Sequence, residues 1–171
     1  MTHRTRIRIP LIALGALAAL GVATEARADI TVQASAGTSF MLAASDDIAS
    51  DRGPVTFDVG PGWDIGMLRL EIPLVFGIDE PDVYPRAQST FLGFRPQAKV
   101  FPFDWLYGKL SAPILFPGGD ADLVLGVTVG GGLEIEVADV ILLHGELNFS
   151  PYVTPSTAIP IEGRVGATFK F

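Results

Sequence analysis

The sequence predicts an all-β protein, an eight-stranded antiparallel up-and-down transmembrane β-barrel, and three observations predict it. Apolar and polar residues alternate along most of residues 29–171, the period of two that sends successive side chains to opposite faces of a strand. Long polar connections alternate with tight turns. No stretch after residue 28 contains 18 consecutive apolar residues, so a membrane crossing there would be made by strands rather than by a helix.

Length and composition narrow the classes further. The 171 residues suit one core. The absence of cysteine excludes disulfide scaffolds, thiolate metal sites, cysteine nucleophiles and a lipidated cysteine at a processing site. A net charge of -7 without a Lys/Arg cluster beyond the first ten residues argues against nucleic acid as a partner. At the start, Arg4, Arg6 and Arg8 precede the apolar run LIALGALAALGVA and the small residues Ala26 and Ala28. This is the layout of a signal peptide over residues 1–28, cleaved before Asp29, for export by the general secretory route. Its 13 apolar residues would span only about 20 Å as a helix, against about 30 Å of hydrocarbon. Removing Arg4, Arg6, Arg8, Arg27 and Glu25 leaves 8 basic and 18 acidic residues in the remaining domain, residues 29–171.

Eight strands follow in order. Residues 30–42 place Ile30, Val32, Ala34, Ala36, Phe40 and Leu42 on one face, and residues 54–64 do so with Val55, Phe57, Val59 and Trp63. In residues 67–76, Leu68, Leu70, Ile72, Leu74 and Phe76 oppose Arg69 and Glu71. Residues 89–101 set Leu92, Phe94, Ala98 and Val100 against Arg95, Gln97 and Lys99, and residues 106–116 set Leu110, Ala112, Ile114 and Phe116 against Lys109 and Ser111. The clearest alternation, residues 122–137, separates Leu123, Leu125, Val127, Val129, Leu133 and Ile135 from Thr128, Glu134 and Glu136. Residues 140–149 oppose Ile141, Leu143, Leu147 and Phe149 to His144, Glu146 and Asn148. Residues 161–171 oppose Ile161, Val165, Ala167, Phe169 and Phe171 to Glu162, Arg164, Thr168 and Lys170.

The first, third and seventh strands are followed by AASDDIASDRG, GIDEPDVYPRAQ and SPYVTPSTAIP, and the fifth by the shorter PGGDA. The second, fourth and sixth are followed by a few residues near Gly66, Asp104 and Asp139. Loops at one end and tight turns at the other suit a membrane barrel with its loops outside the cell. A soluble barrel has the same period but points its apolar face inward. Here the polar face holds Arg69, Arg95, Lys99, Lys109, Arg164 and Lys170 against Asp58, Asp64, Glu71, Glu134, Glu136, Glu146 and Glu162. Near balance suits an enclosed, ion-paired lumen, where an unpaired charge would cost several kcal/mol. Trp63, Phe101, Phe103, Trp105 and Phe171 fall near the short-turn end, and Phe40, Phe57, Phe76, Phe116, Phe149 and Tyr152 near the long-loop end, the expected two girdles at the bilayer interfaces.

The final residues Arg164-Val165-Gly166-Ala167-Thr168-Phe169-Lys170-Phe171 resemble the C-terminal β-signal of bacterial outer-membrane proteins. Arg164, Gly166, Phe169 and Phe171 occupy its polar, glycine, hydrophobic and terminal aromatic positions. With this signal and the eight alternating segments, residues 29–171 resemble the small eight-stranded outer-membrane barrels of the OmpA-like or opacity-like superfamily. The resemblance implies the outer membrane of a Gram-negative bacterium, contact with its lipid and lipopolysaccharide, and recognition of those four residues by the barrel-assembly machinery. It implies no cofactor, and no cell-wall tether, since the peptidoglycan-binding domain of some relatives is missing after the signal.

Pro61, Pro73, Pro96 and Pro113 fall inside the expected strands, where a closed barrel has no free edge for a residue lacking its N–H. They mark bulges and strand ends, or some strands are shorter than these bounds; an alternative makes Gly60-Pro61-Gly62 the first short turn, which shifts the second and third strands.

Eight strands leave a lumen that side chains largely fill, so Arg69, Glu71, Arg95, Lys99, Lys109, Glu134, Glu136, His144, Glu146, Glu162 and Arg164 are expected to form an ion network rather than line a wide pore. A narrow ion channel is the first alternative. A lipid A-modifying enzyme is another, using His144 beside Glu146 with Ser150, although alternation aims His144 at the lumen and Ser150 is expected on the opposite parity. A third is a soluble periplasmic barrel holding an apolar ligand. In the loops, Asp46, Asp47, Asp51, Asp79, Glu80, Asp82 and Asp120 offer oxygen ligands for Ca²⁺ or Mg²⁺ but match no calcium-loop spacing, and no metal site is assigned.

Overall fold

Strand segments pair into one antiparallel sheet in a computed structural model of the chain, which describes residues 29–44, 53–78, 90–117, 123–152 and 158–171. They are β1 (Asp29–Ala44), β2 (Val55–Ile65), β3 (Leu68–Glu71), β4 (Leu74–Ile78), β5 (Thr90–Phe94), β6 (Gln97–Phe103), β7 (Leu106–Ser111), β8 (Ile114–Pro117), β9 (Val124–Leu125), β10 (Thr128–Ala138), β11 (Ile141–Phe149) and β12 (Ala158–Lys170). β1 pairs with both β12 and β2, so the sheet closes on itself. β2 pairs with β3 and with β4, which are two halves of one stave. The same holds for β5 with β6, β7 with β8, and β9 with β10. The wall therefore has eight staves in up-and-down order.

The prolines account for the difference between twelve segments and eight staves. Regular pairing stops at residues 72–73, 95–96 and 112–113, where Pro73, Pro96 and Pro113 sit, and at residues 126–127, whose N–H groups donate to Pro113 and Pro151. They are interruptions without bulges. Burial alternates unbroken through each, as in buried Glu71, Pro73 and Val75. Gly60-Pro61-Gly62 is not a turn, because these residues lie within β2 opposite Gln33, Val32 and Thr31. The turn is Gly66-Met67, with Ile65 opposite Leu68 and Gly66 at φ 63°, a backbone conformation that costs glycine nothing. Glycine at 60 serves close approach instead. A Cβ there would lie 2.5 Å from the Pro73 Cα.

The faces are inverted relative to a soluble protein. Leu147 and Val165 are 69% and 67% exposed on the outer wall, whereas Arg95 and Lys99 inside are 0% exposed. Trp63, Phe103, Trp105 and Phe171 stand outward near the short turns, with the Phe103 and Trp105 rings stacked at 6.0 Å. Phe40, Phe57, Phe76, Phe116 and Phe149 stand outward near the other end. Two expected girdle members turn inward: Phe101 packs on Tyr107 at 5.2 Å, and the Tyr152 hydroxyl reaches Glu162. Phe101 shares its parity with Arg95, Gln97 and Lys99, which explains its direction. Residues 1–28 and the seven loop carboxylates lie outside the described residues.

Candidate functional site

Alternation delivers every second side chain to the lumen, most of them charged or polar, and the stagger of the staves decides which of them meet. On the inner wall, Arg69 lies opposite Lys99, and Lys99 opposite Lys109. Like charges facing each other across strands repel, so these cations find their partners elsewhere in the lumen.

Three clusters result. Near the short turns, Arg69 grips Asp64 through two bonds of 2.5 and 3.0 Å and Glu134 at 2.7 Å, while its guanidinium lies 4.9 Å from the Phe101 ring centre. Lys99 pairs with Glu71 at 3.0 Å and donates to Gln33 Oε1 at 3.3 Å, and Gln97 donates to Glu71 as well. In the middle, Glu146 accepts from the Tyr107 hydroxyl at 2.9 Å, from Asn148 at 3.0 Å and from the Lys109 ammonium. Toward the loop end, Arg95 donates to Glu162 at 2.9 Å and stands 3.7 Å from Asp58. Arg164 pairs with Asp58 at 2.9 Å, donates to Thr56 Oγ1 at 2.6 Å and to Ser35 at 3.2 Å, and lies 3.6 Å from Glu146. Tyr152 donates to Glu162 at 3.2 Å. Through Glu146 and Arg164 the middle and upper clusters join.

Among the described residues the buried charges balance: Arg69, Arg95, Lys99, Lys109 and Arg164 against Asp58, Glu71, Glu134, Glu146 and Glu162. Burial makes each partner necessary, because an orphaned charge would cost several kcal/mol. Glu136 corrects the expected set. It is exposed at the short-turn rim, 3.9 Å from the half-exposed Lys170. A register shift between Glu136 and Ala138 ends the alternation there. His144 is buried opposite Gly166, but its Nδ1 has no hydrogen-bond partner among the described residues. Ser150 proves to be buried on the same face as His144 and Glu146, because the alternation continues from Leu142 to Ser150. The Ser150 hydroxyl pairs with that of Thr128 at 2.8 Å. Six residues of extended strand separate it from His144 by roughly 20 Å, too far for a shared nucleophile site.

Tyr107 and Tyr152 are partners that charge counting passes over. The first was readable, since it stands two residues before Lys109; the second lies past the end of β11, where alternation alone is a weak guide. Gly132 makes room for Tyr107, because a Cβ there would fall 2.7 Å from the phenol oxygen. Of the residues resembling the β-signal, Arg164 and Gly166 belong to the inner wall, while Phe169 and Phe171 are exposed outside.

No protein-family model matches the chain, and no curated protein matches it. Solved structures do. Neisserial surface protein A aligns with a TM-score of 0.57 at 19% identity, covering 83% of this chain and 97% of that one. The attachment invasion locus protein Ail of Yersinia pestis aligns at 0.51 with 13% identity, covering 86% and 100%. The N-terminal β-barrel domain of Pseudomonas aeruginosa OprF aligns at 0.51 with 12% identity, covering 85% and 100%. Closure, eight staves and these likenesses together give the chain the fold of the small eight-stranded transmembrane β-barrels.

Proposed function

We propose that the chain is an integral outer-membrane barrel with a structural or surface-interaction role, exported by residues 1–28 and working as residues 29–171. The observation that carries this reading is the inversion of the faces. An outer wall of Leu, Val, Ile and Phe between two aromatic girdles far exceeds the few hundred Å² of contiguous apolar surface that a water-soluble monomer exposes. Bilayer lipid and lipopolysaccharide are the partners that such a wall fits. The paired lumen supports a closed plug over a solute pore, and the separation of His144 from Ser150 supports a non-enzymatic role over lipid A chemistry. Two of the similar barrels are by name a surface protein and an attachment protein, which supports placing any outside partner at the long-loop end. Arg164, Gly166 and Phe169 on β12, with Phe171 directly after it, serve as the signal to the barrel-assembly machinery.

Fractionation of expressing cells, followed by gel mobility of boiled and unheated detergent extracts, tests the reading. The expected result is outer-membrane recovery with a mobility shift on heating. Release into the soluble periplasm, without a shift, would overturn it.

A further inference from the structure

One row of backbone hydrogen bonds around the wall has proline as every acceptor. The N–H of Ile72 donates to Pro61 at 3.0 Å, Arg95 to Pro73 at 3.0 Å, Ala112 to Pro96 at 3.0 Å and Gly126 to Pro113 at 3.1 Å. Val127 donates to Pro151 and Ser150 to Pro160, both at 3.0 Å. Residues in a hydrogen-bonded antiparallel pair exchange two bonds, and proline has no N–H to return. Each rung therefore keeps one bond and loses its reciprocal, and the facing carbonyls of Ile72, Arg95, Ala112, Gly126, Val127 and Ser150 receive no ladder donor.

The rungs are consecutive. Ile72 faces one neighbour and Pro73 the next, Arg95 one and Pro96 the next, Ala112 one and Pro113 the next. The row runs from β2 to β12 without missing a seam, and β3/β4, β5/β6, β7/β8 and β9/β10 are all interrupted along it. Its end at Pro160 faces Met41, where the β1 register also shifts, and its start at Pro61 faces Val32. β1 alone crosses from one end of the row to the other.

We propose that this proline row is a built-in parting line along which the loop-side half of the wall, β4, β5, β8 and β9, opens independently of the turn-side half. Inside, Arg95 holds the line closed. Its N–H forms one of the halved rungs, and its guanidinium ties the β5/β6 stave to Glu162 on β12 at 2.9 Å. The moving half carries the connections from β4 to β5 and from β8 to β9, so the device lets that side of the long-loop end adjust while the Arg69 and Glu146 clusters keep the lumen closed. The inference rests on backbone geometry and does not depend on the membrane or partner proposed above.

Hydrogen exchange of the folded barrel in detergent micelles, read by mass spectrometry, tests it. Amides of residues 74–78, 91–94 and 114–116 are expected to exchange at least about tenfold faster than those of residues 97–100, 107–111 and 133–135, with the step at the row. Pro96→Ala supplies the missing donor to the Ala112 carbonyl and is expected to slow exchange in β5 and β8 about fivefold. Pro102→Ala, exposed in β6 and off the row, leaves them unchanged, and Arg95→Gln speeds them. Pro61→Ala, read on β4, replaces Pro96→Ala should that variant fail to fold. Uniform protection across the row, or a row variant no slower than Pro102→Ala, would overturn the proposal.

Discussion

At the scale of single residues, the lumen shows how burial turns each charge into an obligation. Glu146 accepts from Tyr107, Asn148 and Lys109, so Glu146→Leu leaves a buried ammonium without its counter-ion. The expected loss is about 3–5 kcal/mol, measured by urea unfolding of the folded barrel. Lys109→Leu together with Glu146→Leu is expected to recover most of that loss, since the pair is then removed rather than broken. Gly166 makes a steric case. A Cβ there would lie 2.4 Å from the Ala34 carbonyl oxygen, 2.6 Å from Ser35 Cβ and 2.7 Å from His144 Nε2, so Gly166→Ala is expected to lower the yield of heat-modifiable barrel. Restoration by His144→Ala would assign the effect to crowding by the imidazole; its absence would assign it to the Ala34 backbone. Most lumen residues were legible from alternation, and Glu136 was not, because a local register shift ends the pattern two residues before the turn.

Among the elements, alternation located all eight staves, and the strand ends moved by a few residues. β12 begins at Ala158 rather than at 161 because its pairing with β1 runs on to Ala44. The prolines were visible as an anomaly, but their arrangement was not. Whether Pro73 lies level with Pro61 depends on stagger, which neither segment contains by itself. The first tight turn was equally ambiguous between Gly60-Pro61-Gly62 and Gly66, and pairing across β1 and β3 resolves it. Gly66 carries a prediction of its own. With φ at 63° and no atom within 4 Å of an added Cβ, Gly66→Ala is expected to cost about 1 kcal/mol from backbone conformation alone. Gly108→Ala, also in open space but without a left-handed backbone, is expected to be near neutral in the same unfolding assay.

For the molecule as a whole, the inverted faces yield a prediction whose sign separates two solvents. Val165→Arg on the outer wall is expected to cost about 2–4 kcal/mol if it lies near a bilayer midplane, measured by unfolding from phosphatidylcholine vesicles. On a soluble barrel the same change would be close to neutral. The sequence by itself determined the class of fold, the number of staves, the face taken by side chains along the regular stretches of each strand and the near balance of charge inside. These follow from a period of two and from turn chemistry, both of which act over a few neighbouring residues. Only the tertiary structure decided which charges meet, as with Arg95 and Glu162 or Arg69 and Glu134, and that six prolines form one row. Both outcomes depend on how far each stave is shifted against the next as the sheet closes. That stagger is a property of the whole ring, because a shift at one seam must be accommodated by the others before the barrel can close.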